Sequence, residues 1–96
     1  MSEKVDNNRR LPLGQVRLTA SAREVLLTSD VIKALFRHAM GDWGEAVSKA
    51  DWEANNHALK YGERVISAYL SAGGTRFWII TEADRSYTTV LLPNDY

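Results

Sequence analysis

The sequence contains no cysteine. Disulfides and thiolate metal sites are therefore excluded, and a reducing setting is natural. Net charge is also missing: twelve basic residues cancel twelve acidic ones. That balance argues against a nucleic-acid binder that works mainly by neutralising phosphate, although it leaves room for a local basic patch. Arg9, Arg10 and Arg17 lie close together in the chain, whereas Arg23, Arg37, Arg64 and Arg85 are scattered, as on a mixed solvated surface. No segment approaches the ~20 apolar residues needed to cross a bilayer, and the start MSEKVDNNRRLPLG lacks the apolar centre of a leader. A cytoplasmic protein without membrane contact is expected. There is no internal repeat and no low-complexity tract.

What is present suits one folded unit. Ninety-six residues with 45% apolar side chains fit a single domain around one core. Residues 1–14 are polar, end in Gly14 and read as a loose arm, leaving 15–96 as the domain. QVRLTA alternates, with Val16 and Leu18 on one face, and predicts a short strand. Ser21 and Glu24 have capping-box spacing and predict a short helix through Leu27. TSD offers a second cap before VIKALFRHAM, where Val31, Ile32, Leu35, Phe36, Ala39 and Met40 recur at helical spacing. Gly41 follows as a helix stop, with Arg37 and His38 in the last turn, where positive charge suits the dipole. Ser48 and Asp51 repeat the cap spacing for another helix. Its stripe is Ala50, Ala54, Ala58 and Tyr61, widened by Trp52 and Leu59 and stopped by Gly62.

The last third changes period. AGGT and EADRS separate three runs rich in β-branched and aromatic residues, namely 65–70, 76–81 and 87–92. Three sequential antiparallel strands are the simplest reading. FWII is apolar on both faces and belongs at the centre, and Pro93 ends the last strand. The expected fold is α+β: N-terminal helices packed on a three- to four-stranded antiparallel sheet, with VRLT as the optional fourth strand.

HAMGDWG, RVISAY and RFWIITEADRSYTTVLLPNDY together resemble a family of small proteins of plasmids, conjugative elements and phages, often called plasmid-related proteins. The shared pattern falls on His38, Gly41, Asp42, Trp43 and Gly44, then on Asn56, Gly62, Arg64, Ser67 and Tyr69. It continues through Trp78, Ile80, Thr81, Glu82, Asp84, Arg85, Thr88, Thr89, Leu91, Leu92, Pro93 and Tyr96. The resemblance spans residues 15–96 and implies an accessory role on a mobile genetic element, without naming a reaction.

Each candidate residue has two readings. His38 and Asp42, four apart, form an orienting acid–base pair if the helix continues; a stop at Gly41 separates them, and His38 then caps carbonyls. Asp42 can accept N–H bonds within the turn. Trp43 either plugs the space between helix and sheet or stands out as a partner anchor. Asn55 and Asn56 are costly inside a helix, so at least one should bond across to the sheet or to a ligand. Asp84 can tie down the second hairpin, with Arg85 bridging to Glu82 or Asp42. In the sharper reading Glu82, Asp84 and His38 meet as a carboxylate–histidine site. No HExxH, P-loop or GxSxG arrangement is present, and no cofactor or metal is implied.

Three functions follow. The first is an accessory protein that binds a protein partner, with Trp43, Asp42 and Asn56 as its contact residues. The second is a small nucleic-acid-directed hydrolase or toxin-like nuclease using His38 as acid or base with Asp84, and Arg85 against phosphate. The third, a DNA reader built on the helix at 30–40, lacks a basic second helix. A second copy of the chain is a further candidate partner, covering an open sheet face.

Overall fold

The computed structural model describes residues 11–96. The arm assigned to residues 1–14 therefore lies outside the described residues up to position 10, Arg9 and Arg10 included. Its last part is not loose: Leu11 is buried and donates its N–H to Ala39 O at 2.8 Å.

The elements follow the order β1 (Gln15–Leu18), α1 (Ala20–Val25), α2 (Thr28–Ala39), α3 (Lys49–Tyr61), β2 (Val65–Leu70), β3 (Arg76–Thr81) and β4 (Tyr87–Leu91). A 3-10 turn, Pro93–Asp95, follows. This is an α+β domain with a four-stranded sheet in the order β1-β4-β3-β2. The three C-terminal strands form the expected antiparallel meander. β1 corrects the all-antiparallel expectation, because it runs parallel to β4 with Gln15 opposite Tyr87 and Leu18 opposite Val90. The reason is the crossover: the helices carry the chain from β1 across one sheet face to β2 at the opposite edge, so β1 enters beside β4 in the same direction.

Side chains alternate across the sheet. Val65, Ser67, Tyr69, Phe77, Ile79, Thr81, Thr88 and Val90 share the helix-covered face, as their register requires. Against it pack Ala22 and Leu26 from the α1 region and Val31 and Ala34 from α2. A second cluster joins Leu11, Trp43, Ala58 and Val65, with Trp52 and Leu59 packed beside it. The opposite face carries Ile66, Ala68, Trp78 and Leu91, and Tyr96 meets Trp78 edge-on, with centroids 5.4 Å apart.

Three local expectations change. The α1 cap is Thr19, whose Oγ1 accepts from Ala22 N at 3.2 Å; Ser21 instead donates to Asp95 and ties α1 to the C-terminal turn. α2 starts at Thr28 with no side-chain cap bond, and its buried row is Val31, Ala34 and His38. Ile32 and Phe36 lie a helical step outside that row and are 61% and 67% exposed. In α3, Ser48 is the cap as read, accepting from Asp51 N, and Gly62 ends the helix. The alanine stripe fails as the buried face, since the helix is rotated to bury Asn55 and Ala58 and leaves Ala50, Ala54 and Tyr61 exposed.

Candidate functional site

The loop from Gly41 to Ser48 closes the outer edge of β2. α2 ends at Ala39, and Gly41 takes φ +85, so the helix stops between His38 and Asp42. Arg37, in the last turn, then clamps the loop. Its Nε donates to Asp42 Oδ2 at 2.8 Å and its Nη2 to Glu45 Oε1 at 2.9 Å. Hydrogen bonding to Arg37 holds the Asp42 carboxyl below its usual range, and Gly44 N adds to that effect. Tyr69 donates its hydroxyl to Asp42 O at 2.6 Å, and burial raises its titration.

Most outward polar groups along the β2 edge find partners within the fold. Ala68 N donates to Trp43 O at 3.0 Å, and Ala46 N donates to Ala68 O at 3.2 Å. Glu45 Oε2 accepts from Leu70 N at 2.8 Å. One step along, Asn55 behaves as a strand in miniature: its Nδ2 donates to Ile66 O, and its Oδ1 accepts from Ile66 N. An exposed edge of this kind otherwise invites pairing with another chain. Asn55 explains its own position in a helix interior.

Trp43 is 0% exposed, between α3 and the sheet, and donates Nε1–H to Asn56 Oδ1 at 2.9 Å. The three residues assigned to partner contact are thus occupied within the fold: Asp42 by Arg37, and Trp43 and Asn56 by each other. They brace the loop.

His38 is likewise 0% exposed, on the sheet side of α2. Its Nδ1 lies 2.5 Å from Ser67 Oγ and its Nε2 2.8 Å from Thr81 Oγ1. Thr81 Oγ1 lies 2.7 Å from Thr88 Oγ1, which donates to Leu13 O at 2.7 Å. The chain assigns its own protons. The only proton on Thr88 goes to Leu13 O, so Thr81 must donate to Thr88. Thr81 therefore accepts from His38 Nε2–H, and Nδ1 accepts from Ser67. Burial pushes His38 down to about 3, and the positive charge of Arg85 adds to the shift.

That shift has a pH signature. Below the unfolded-state value near 6.5 the unfolded chain takes up a proton that the native ring refuses, so stability falls with falling pH. The expected loss is about 2 kcal/mol at pH 5 relative to pH 8, at ~1.4 kcal/mol per pH unit. Asp42 and Glu45 are both held below their ordinary values, so their loss of charge weakens the fold only at lower pH. Urea midpoints across pH 5–8 test this, and His38→Gln, which cannot be protonated, should flatten that segment.

The residues assigned to catalysis do not converge. Both His38 nitrogens are taken by Ser67 and Thr81. Asp84 is on the surface, where its Oδ1 accepts from Ser86 N and Ser86 Oγ at 3.0 and 2.6 Å; the Ser86 hydroxyl holds its carboxyl below the usual range. Arg85 adopts φ +61 in the hairpin turn. Its guanidinium donates to Glu63 O at 2.6 Å and to Ala58 O at 3.1 Å, neutralising carbonyls at the end of α3. Its Glu82 contact is to the backbone carbonyl, at 3.2 Å, rather than to the carboxylate. Among the described residues no group of three or more His, Cys, Asp or Glu is placed to hold a metal ion.

Sequence reasoning missed Ser67, Thr81 and Thr88 as a network. The signal was there: all three are polar at positions where strand alternation demands an inward side chain.

A different surface remains open. Between α3 and the opposite sheet face runs a groove of about 500 Å³. Ala54, Ala58, Ile66, Ala68 and Trp78 line it, Asp51 stands at the α3 start, and Arg64 and Tyr96 stand at the other end. Compared with family models, curated proteins and solved structures, the chain matches none of them.

Proposed function

We propose that this protein is a non-enzymatic binding module that docks a protein partner through the groove between α3 and the sheet face that carries Trp78. The observation that carries this reading is the groove itself: an apolar cleft of about 500 Å³ flanked by two surface aromatics, Trp78 and Tyr96. Large aromatics beside a concave apolar surface are what interface anchors are made of. Trp43, which the sequence offered as either plug or anchor, is the plug, and Trp78 with Tyr96 takes the anchor's place. The hydrolase alternative draws no comparable support, because His38 would first have to release Ser67 and Thr81. The resemblance of the C-terminal motif to proteins of plasmids, conjugative elements and phages is the basis for expecting a host or element-encoded partner in the cytoplasm.

The test is capture from a bacterial lysate with an affinity-tagged chain, comparing wild type with Ala54→Arg and Trp78→Ala. Ala54 is exposed, so the arginine fills the groove without entering the core. Wild type should retain a stoichiometric partner that both variants lose. Equal retention by Ala54→Arg would sink the reading.

A further inference from the structure

The groove carries Asp51 at one end and Arg64, beside Glu63, at the other, over a floor that offers no backbone, and these features restrict its occupant. Resting on the binding-module reading above, we propose that the groove captures the carboxyl-terminal end of a partner polypeptide. The last residue is apolar, and a basic residue stands about three positions upstream.

The floor comes first. An extended peptide often docks by adding a strand to a sheet edge. At the β2 edge beside the groove that route is closed, because the outward N–H and C=O groups of Ile66 and Ala68 and the N–H of Leu70 are already bonded to Asn55, the 43–46 loop and Glu45. An occupant must be held by its side chains and its terminal charge. Ala54 and Ala58 keep the α3 wall low. Ile66, Ala68 and Trp78 supply the apolar floor on which one branched or aromatic side chain can lie.

Arg64 is the cation at one end. Its Nη2 donates to Tyr96 Oη at 2.9 Å, and its guanidinium sits 5.5 Å from the Tyr96 ring centroid. Its nearest carboxylate, Glu82 Oε1, is 4.0 Å from Nε, at the limit of ion-pair range. Tyr96 thus props the planar fork and leaves donors for a carboxylate, which an arginine recognises through paired N–H bonds. Glu63 lines the same end, and its carboxylate turns to His57 Nδ1 at 3.2 Å. At the other end Asp51 has no ion-pair partner among the described residues. Ala58 packs in one cluster with Val65, the neighbour of Arg64, and lies seven residues from Asp51 on α3, about 10 Å along its axis, which an extended chain covers in about three residues. A carboxylate on Arg64 therefore places a basic side chain about three residues upstream against Asp51.

The experiment is calorimetric titration of the full chain with two synthetic hexapeptides. Both end in phenylalanine and carry lysine three residues before it; one ends as the free acid and one as the carboxamide. The acid should bind about tenfold more tightly than the amide, the value of one charge-assisted contact. Arg64→Gln should erase that difference. Asp51→Asn should erase the preference for lysine over serine at the upstream position. The inference is overturned if the amide binds as well as the acid, or if neither peptide binds. It is also overturned if N-acetylphenylalanine alone binds as tightly as the peptide, marking a small-molecule site. Sedimentation showing a dimer that Ala54→Arg dissociates would overturn it as well, by making a second copy the occupant. Should the peptides fail while Ala54→Arg still loses the lysate partner, only the carboxyl-end inference falls. Should Ala54→Arg keep that partner, the binding-module reading falls.

Discussion

Trp43→Ala is expected to remove about 3–5 kcal/mol of stability, as for other fully buried tryptophans. In a domain whose whole stability is of order 5–15 kcal/mol, that leaves the native state barely populated at 37 °C. The ring fills the space among Leu11, Ala58 and Val65, and His38 meets its edge with centroids 5.7 Å apart. Truncation therefore opens a cavity beside the one buried imidazole, and water entering there would ease protonation of His38. Trp43→Phe separates the two contributions. It keeps most of the packing and loses the bond to Asn56, which is itself exposed and can turn to water. Its cost beyond the lost volume should be about 1 kcal/mol. Urea unfolding read by circular dichroism distinguishes the pair. A Trp43→Ala midpoint close to wild type would mean that the loop does not hold the ring in the core.

Much of the architecture could be read from the chain because local rules and global packing agree there. The 65–70, 76–81 and 87–91 strands carry their own alternation and turns, and Ser48 and Gly62 bracket α3 by cap chemistry. The errors fall where partners are distant. Nothing local in QVRL reveals that its partner is β4, or that pairing is parallel. Ala50, Ala54 and Ala58 repeat at helical spacing, yet only Ala58 is buried; Trp52, Asn55 and Leu59 displace the other two because larger groups and an edge-capping amide gain more from facing the sheet.

Gly44→Ala is the second variant with a large expected effect, above about 3 kcal/mol. Gly44 has φ +98, and an added Cβ would run into the Ala68 carbonyl and lie 2.8 Å from Tyr69 Cδ1. Neither neighbour can yield, since Ala68 sits in β2 and Tyr69 packs in the main core. The loop must lift instead, abandoning the bonds that Ala68 makes to Trp43 O and Ala46 N. Gly62→Ala is the control. It has φ +72 with nothing within 4 Å of the added Cβ, so only the left-handed backbone penalty of about 1–2 kcal/mol applies. Amide exchange at Ala68 and Leu70 should accelerate in Gly44→Ala and stay slow in Gly62→Ala. Equal costs for the two variants would refute the close-approach account.

The candidate site was less legible than the fold. His38, Asp42 and Arg85 stood out because they are polar residues near turns, and each proves to satisfy a partner within the fold. Spacing along a chain cannot distinguish a carboxylate that waits for a substrate from one that accepts an arginine five residues away. Arg64, Trp78 and Tyr96 carried no local signature of a site. Their juxtaposition depends on a β2–β3 register and a C-terminal turn that bring residues 64, 78 and 96 to one face.

The parallel pairing of β1 with β4 also sets an order of assembly. Gln15 and Tyr87 are partners 72 positions apart, whereas the β2–β3–β4 meander closes through short turns. Ring closure over that distance is entropically costly until the meander exists to reward it. Among the described strands β1 leaves the ribosome first and must wait for the last one. The first strand made is the last to dock, so a chain stalled before residue 87 holds β1 without its partner.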